Sequence, residues 1–302
     1  MRQASFTWSL RVLALALPAL LIALGIQLYR DSLASRHAFG WHFLFSSAWD
    51  PVFQHFGAWP FIFGTLFTTA IAILLAAPLG IGVAIFLAEL APAWLRGPLG
   101  YLVELLAVVP SVVYGLWGLF VLVPWLQQSA EPWLSAHAGG LELLQGAPYG
   151  VGYLAAGLVL AIMILPFVVL LGRDALQAVP RAQREAGYAL GATRWELITG
   201  ILVPAARSGL AAGVLLAIGR ALGETMAVAM LIGNNPAASG SLLAPGYSLA
   251  SVIANEFTEA TSPLYISSLT ELALVLFALT LIINLVARGL MVRLARGQVQ
   301  AA

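Results

Sequence analysis

Cysteine and lysine are both absent from the 302 residues. Without cysteine there is no disulfide framework, no thiolate metal site and no thiol nucleophile. Without lysine there is no Walker A P-loop, whose lysine reaches the nucleotide phosphates, and no Schiff-base chemistry. Charge is scarce as well: Asp, Glu, Lys and Arg make up 9% of the chain, against about 25% for a soluble domain. A water-soluble fold of this length could not cover its surface with so few charges, and the 61% apolar content excludes a disordered or collagen-like chain. The net charge of +1 gives no reason to expect a nucleic-acid partner. What remains is an all-α integral membrane protein in a lipid bilayer. Its apolar runs are continuous rather than alternating, which rules out the strands of a β-barrel.

A crossing helix needs about 20 mainly apolar residues. Six segments qualify: Trp8–Tyr29, Pro60–Leu90, Tyr101–Leu126, Val151–Gly172, Pro204–Gly233 and Ile266–Val286. The second and fifth are long for one crossing, so tilt, a kink at Pro78 or interfacial turns are expected. Pro110, Pro124 and Pro166 are further positions where a helix can bend. All 14 basic residues are arginine. Arg2, Arg11, Arg96, Arg173, Arg181, Arg184, Arg194, Arg207, Arg288, Arg293 and Arg296 share one side if both termini lie together; Arg30 and Arg36 take the other, and Arg220 falls within a span. The positive-inside rule then puts both termini in the cytoplasm. The apolar run of the first span is longer than a usual signal core and reads as a retained helix, although Ser32-Leu33-Ala34 could pass as a cleavage site. Residues 30–59 carry Trp41, Trp49 and Trp59, suited to a helix in the headgroup layer. The apolar piece Tyr247–Ala254 is too short to cross and reads as re-entrant or interfacial. No soluble domain and no internal repeat is apparent.

The loop between the fourth and fifth spans reads RDALQAVPRAQREAGYALGATRWELITGILVPAARSG. Pro180 can open a helix running to about Leu190, and Gly191 is placed to end it. Thr193 and Glu196 form a T-x-x-E capping box for a second short helix before Pro204 opens the next span. The product is a rigid helix–glycine bend–helix, able to transmit a push. Its residues Glu185, Ala186, Gly191, Ile201 and Pro204 match the cytoplasmic signature E-A-A, three residues, glycine, nine residues, I-x-L-P; Gly187 stands for the second alanine and Val203 for leucine. On this signature the chain resembles the membrane subunits of binding-protein-dependent ABC importers. FLAELAP at 86–92, VPSVVYGLWG at 109–118, GRALGETMAV at 219–228 and SLASVIANEFTEA at 248–260 narrow the resemblance to the first permease subunit of phosphate-specific importers.

The resemblance implies a type I ABC importer permease fold with six transmembrane helices in a single domain, 1–302. The first span and outer loop would occupy about 1–59, the permease core about 60–290, and the coupling loop about 173–203. It implies a permease without its own ATPase site in a bacterial inner membrane, multi-pass, with ATP and magnesium bound by a partner ATPase dimer. A homologous second permease and a periplasmic phosphate-binding protein would complete the importer, with inorganic phosphate as cargo. Sulfate, molybdate and other oxyanions are the alternatives, since sister permeases share the coupling loop. An ion-gradient-driven secondary transporter and a membrane-embedded enzyme are the rivals from other classes. No histidine lies in any proposed span, which speaks against the enzyme.

Within the fifth span, Arg220 and Glu224 stand four residues apart, which on a continuous helix puts them on one face. An arginine at membrane depth costs about 2.5–3.5 kcal/mol on the insertion scale, so it should face a partner or a polar cavity. A structural ion pair and a functional site are both open on the residues alone; the resemblance assigns phosphate passage to this region. Thr225 could add a hydroxyl, though a threonine in a membrane helix often bonds its own backbone. A guanidinium offers planar, paired hydrogen bonds to phosphate oxygens, and a carboxylate can accept from the phosphate hydroxyl that sulfate lacks. Glu89 and Glu104 read as interfacial carboxylates. His37, His42 and His55, spaced by 5 and 13, match no helical ligand pair, so no metal site is expected.

Overall fold

The computed structural model describes residues 2–138 and 140–299, which are mainly helical, with long non-helical loops at 46–58, 145–152 and 232–248. α1 (Arg2–Asp31) is followed by the short α2 (Leu33–Phe39) and α3 (His42–Phe45). α4 (Trp59–Ile85) runs on through a π turn at Phe86–Leu90, and α5 (Ala93–Val108) follows. α6 (Ser111–Trp117), α7 (Val123–Trp125) and α8 (Glu131–Ala138) form one winding path joined by π turns at Gly118–Leu122 and Leu126–Ala130. The second half comprises α9 (Tyr153–Gln177), α10 (Arg181–Ala189), α11 (Arg194–Leu197), α12 (Val203–Leu222), α13 (Met226–Leu231), α14 (Leu249–Glu256) and α15 (Pro263–Val299).

Among the described residues five helices are long and apolar enough to cross a membrane, and a sixth crossing arises if Ala93–Val108 and Ser111–His137 are taken as one bent span. The continuous helix expected over Tyr101–Leu126 is therefore not formed: the two helices meet at 95°. Pro110 causes the break, since it offers no N–H and drives Val109 to extended geometry (φ −60°, ψ 129°). The fifth span also differs. It begins at Arg194, upstream of Pro204, and ends at Leu222 instead of Gly233. No separate loop helix stops before Pro204, because α11 passes into α12 through a π turn at Ile198–Leu202. The shifted bonding register there accommodates a proline that cannot donate. Pro124 likewise lies between two π turns, whereas Pro78 and Pro166 sit inside unbroken helices.

α9 is the central post, packed against α4 on one side and α12 on the other. Small residues allow the approach. A Cβ at Gly80 would lie 2.8 Å from Val168 on α9, one at Gly157 2.6 Å from Ile71 on α4, and one at Gly209 2.4 Å from Ala175. Lipid gives no hydrophobic drive for helices to associate, so this close packing supplies the cohesion.

Each end of the bundle has its own knot. At one end Phe43, Phe56 and Phe61 cluster with Tyr247, Leu249 and Tyr265. There Trp49 and Tyr265 both donate to a Glu256 carboxylate oxygen, at 2.8 and 2.5 Å. α14 is part of this end, held by a Ser248–Ser251 capping box. At the other end Ala84, Ala88, Leu176, Val179, Leu197, Ile198 and Leu202 join the tail of α4 to α9 and to the arginine-rich stretch 180–203, the coupling segment that the family resemblance implies. The arginine-poor loops 30–59 and 234–262 therefore sit together, opposite the arginine-rich coupling segment.

Candidate functional site

The coupling segment takes the shape its residues dictate. Pro180 is extended (φ −55°, ψ 139°) and α10 starts at the next residue. Gly191 adopts φ +83°, the left-handed geometry that ends such a helix at glycine. Both bonds of the capping box are formed: Thr193 accepts from the Glu196 N–H, and Glu196 accepts from the Thr193 N–H at 2.7 Å. Glu185 and Ala186 lie exposed on α10, with Tyr188, Leu190 and Trp195 exposed around the bend; Leu190 is 88% exposed. Ile201 packs inward, and Pro204 lines a 640 Å³ hollow with Val179, Pro180, Gln183 and Arg207. Gly187, which stands for the second alanine, has a packing role. It is buried, and a Cβ would come within 2.5 Å of Leu197 and 2.7 Å of Ile201, so its lack of a side chain lets α10 lie flat on the start of the fifth span.

Arg220, Glu224 and Thr225 are brought together differently from the single helix face their spacing suggests. α12 stops at Leu222, and Gly223 turns the chain. Arg220 is in the last turn of α12, where a cation complements the helix dipole. Glu224 lies past the break, buried, and accepts the Ala227 N–H at 3.3 Å in the first turn of α13. Each charge thus serves its own helix end. Among the described residues the ion pairs within 4 Å are Arg173–Glu104, Arg173–Asp174 and Arg184–Glu89, so Arg220 and Glu224 form none. Thr225 donates back to the Gly223 carbonyl at 3.3 Å.

Arg220 and Glu224 still share one space. A cavity of 460 Å³ is lined by Phe167, Leu215, Leu216, Gly219, Arg220, Gly223, Glu224 and Asn284. It is roomy enough for several waters or a hydrated anion. The Arg220 guanidinium carbon sits 5.1 Å from the centre of the Phe167 ring. A cation over a ring face keeps its N–H edge for other partners. Asn284, from α15, donates to the Thr280 carbonyl at 2.8 Å and leaves its amide oxygen and second N–H. Phe167 and Asn284 were not singled out in the sequence: one is an aromatic in an apolar helix, the other a lone amide in the last span. That amide at membrane depth is the signal that could have found it.

The comparisons with known proteins agree with this architecture. Residues 80–300 match the family described as binding-protein-dependent transport system inner membrane component. The chain is similar to the phosphate transport system permease protein PstC of Mesorhizobium japonicum, 46% identical over 96% of this chain and 90% of the relative. It is similar to the protein of the same name from Haemophilus influenzae, 46% identical over 94% of this chain and 91% of the relative. In fold it resembles a chain of a bacterial ABC transporter that imports the acidic polysaccharide alginate, at a TM-score of 0.61 and 19% identity, covering 93% of this chain and 95% of that one.

Proposed function

The chain belongs to the binding-protein-dependent transport system inner membrane component family, and on that premise we propose that it forms one half of the pathway of an ATP-driven importer for inorganic phosphate. It is a multi-pass inner-membrane permease component and not the ATPase. The relatives at 46% identity, both phosphate transport system permeases, support phosphate as the cargo over sulfate or molybdate.

One observation carries the mechanism. The helix that leaves the coupling bend at Arg194 continues to Leu222 and bears Arg220 near its far end. From Arg194 to Arg220 this is a lever of about 39 Å at 1.5 Å per residue. A push on the bend reaches the cavity without crossing a flexible joint. The exposed Tyr188, Leu190 and Trp195, beside Glu185 and Ala186, supply the surface on which an ATPase subunit would seat. Glu185, Ala186, Gly191, Ile201 and Pro204 act in coupling: the first two at the contact, the others in shaping the bend and its approach. A homologous second permease would provide the facing half of the pathway, two ATPase subunits the power stroke, and a periplasmic phosphate-binding protein the cargo. In this reading both termini are cytoplasmic, and the core of the single domain carries both cavity and coupling segment.

In the cavity, Arg220 presents paired N–H donors to phosphate oxygens while Phe167 backs its flat face. Glu224 keeps one oxygen on the α13 backbone and offers the other to a phosphate hydroxyl. Thr225 steadies the turn between them. The test is the assembled complex in vesicles with ATP on the cytoplasmic side. Phosphate should accumulate and stimulate ATP hydrolysis while sulfate does neither. Accumulation driven by an ion gradient without ATP, or preference for sulfate, would overturn the reading.

A further inference from the structure

The tail of α4 holds a set of polar contacts outside the cavity and outside the exposed face of the coupling bend. Glu89, in the π turn Phe86–Leu90, is mostly buried, its side chain 12% exposed. Its carboxylate accepts from Arg184 Nη1 at 2.5 Å, and its backbone carbonyl accepts from Arg194 Nη2. Arg184 also donates to the Leu176 carbonyl at 2.6 Å and the Val179 carbonyl at 3.5 Å. Two guanidinium groups thus gather the end of α4, the end of α9 and both helices of the coupling bend.

The positions of the two arginines give this contact its meaning. Arg184 lies on α10, before the Gly191 turn, and Arg194 opens α11, after it. One residue of α4 is therefore tied to both arms of the bend. The bend cannot hinge at Gly191 without breaking one of the two ties, so it and the tail of α4 are bound to move as one body. Stability alone does not call for such groups, since a desolvated ion pair is often no better than an apolar contact of the same shape. A directional contact nevertheless resists sliding in a way that the apolar cluster beneath it, Ala88, Val179 and Leu197, does not. The C-terminal end of a helix also favours cations, which makes the tail of α4 a natural anchor for arginine.

We propose that Glu89 is the joint that passes motion of the coupling bend to α4, a positioning residue for transport that touches neither phosphate nor ATPase. The proposal rests on the ATP-driven reading above. With Glu89 in place, a push on the bend drives two membrane helices together: the fifth span, which the bend continues into, and α4 through the Glu89 tie. Without the Glu89 carboxylate the tie to Arg184 is lost and α4 keeps only the Arg194 bond to the residue-89 backbone carbonyl, so less of the push reaches it.

The experiment uses the complete complex in vesicles and reads three quantities on one preparation: assembled complex, ATP hydrolysed and phosphate accumulated. Glu89→Gln keeps the size of the group and removes its charge. It should assemble at the wild-type level and hydrolyse ATP, while phosphate accumulated per ATP falls about fivefold or more, the lower range of coupling factors between sites. Arg184→Gln, which also removes the bonds to the Leu176 and Val179 carbonyls, should lose at least as much, and the double variant should be no worse than Arg184→Gln alone, as expected when both changes break one contact. Glu89→Asp, which keeps the charge on a shorter stem, should recover part of the ratio. A wild-type ratio in assembled Glu89→Gln would overturn the joint. So would a loss of uptake that only tracks a loss of complex, or losses that multiply in the double variant. A wild-type complex that moves phosphate without hydrolysing ATP would overturn the transport reading, and the joint with it.

Discussion

Arg220 and Glu224 line the same cavity, yet their spacing alone misplaces them. Four residues apart on a helix they would face each other; Gly223 ends α12 between them, and each charge complements a different helix end. Local spacing could not reveal this, because whether a glycine breaks a membrane helix depends on what packs beside it. Phe167 and Asn284 were hidden for a related reason, as they reach the cavity from helices remote in sequence. If the cavity passes phosphate, Arg220→Gln should reduce uptake by the assembled complex to background. Arg220→Lys should retain activity but lose roughly tenfold, the worth of one charge-assisted hydrogen bond. Asn284→Asp should also suppress uptake, by setting a second carboxylate against the anion. Phosphate uptake normalised to assembled complex checks all three, and wild-type rates in Arg220→Gln would leave the arginine a structural role. The glycines of the bend separate in the same way. Gly191→Val forces a β-branched residue to φ +83°, at a cost of roughly 1–2 kcal/mol, and should weaken retention of the ATPase subunit on a column bearing the permease. That conformational demand was legible in the sequence, whereas the burial of Gly187 against Leu197 and Ile201 was not.

The capping box is the element that sequence described best. Thr193 and Glu196 satisfy each other's backbone within four residues, so tertiary context adds little to decide. Thr193→Ala should cost about 1 kcal/mol and speed amide exchange at the start of the fifth span roughly fivefold; hydrogen-exchange mass spectrometry of peptides covering 193–203 reads this directly. The prolines were harder. Pro110 breaks its span by 95°, Pro124 and Pro204 lie next to π turns, and Pro78 and Pro166 leave their helices whole. All five remove the same donor, and what differs is the slack nearby in the bonding register, a property of three-dimensional packing. Close backbone contact is equally invisible in one dimension. A Cβ on Gly64 would lie 2.1 Å from the Tyr247 carbonyl oxygen, where α4 meets the loop before α14. A backbone atom cannot swing aside, so Gly64→Ala should destabilise by about 1–3 kcal/mol, as overpacking does, seen as a lower melting temperature in detergent.

The whole molecule sets its arginine-poor loops at one end and the arginine-rich segment at the other, a grouping the arginine positions in the sequence led one to expect. Loops 30–59 and 234–262 meet in one knot, where Phe43 and Tyr247 pack with Phe61 of α4 and Tyr265 of α15, with the coupling segment at the opposite end. If the termini are cytoplasmic, a cysteine at Ala238 should react with a membrane-impermeant maleimide added outside intact cells, and one at Ala182 should react only after lysis. The native chain has no cysteine to confuse the result; reversed labelling would put the coupling segment out of an ATPase's reach. The end of α12 has a consequence for throughput. Its last carbonyls lack helical partners and together amount to about half a negative charge. Arg220 stands among them, so if it receives the cargo, much of its attraction is spent before the anion arrives. Phosphate binding to the isolated subunit should therefore be feeble, with a Kd of about 1 mM or weaker, no more than ~4 kcal/mol. Dwell time in the pathway is then short, and capture at low external concentration falls to whatever delivers the cargo. A guanidinium free of that helix end would hold its passenger longer and slow the traffic it serves.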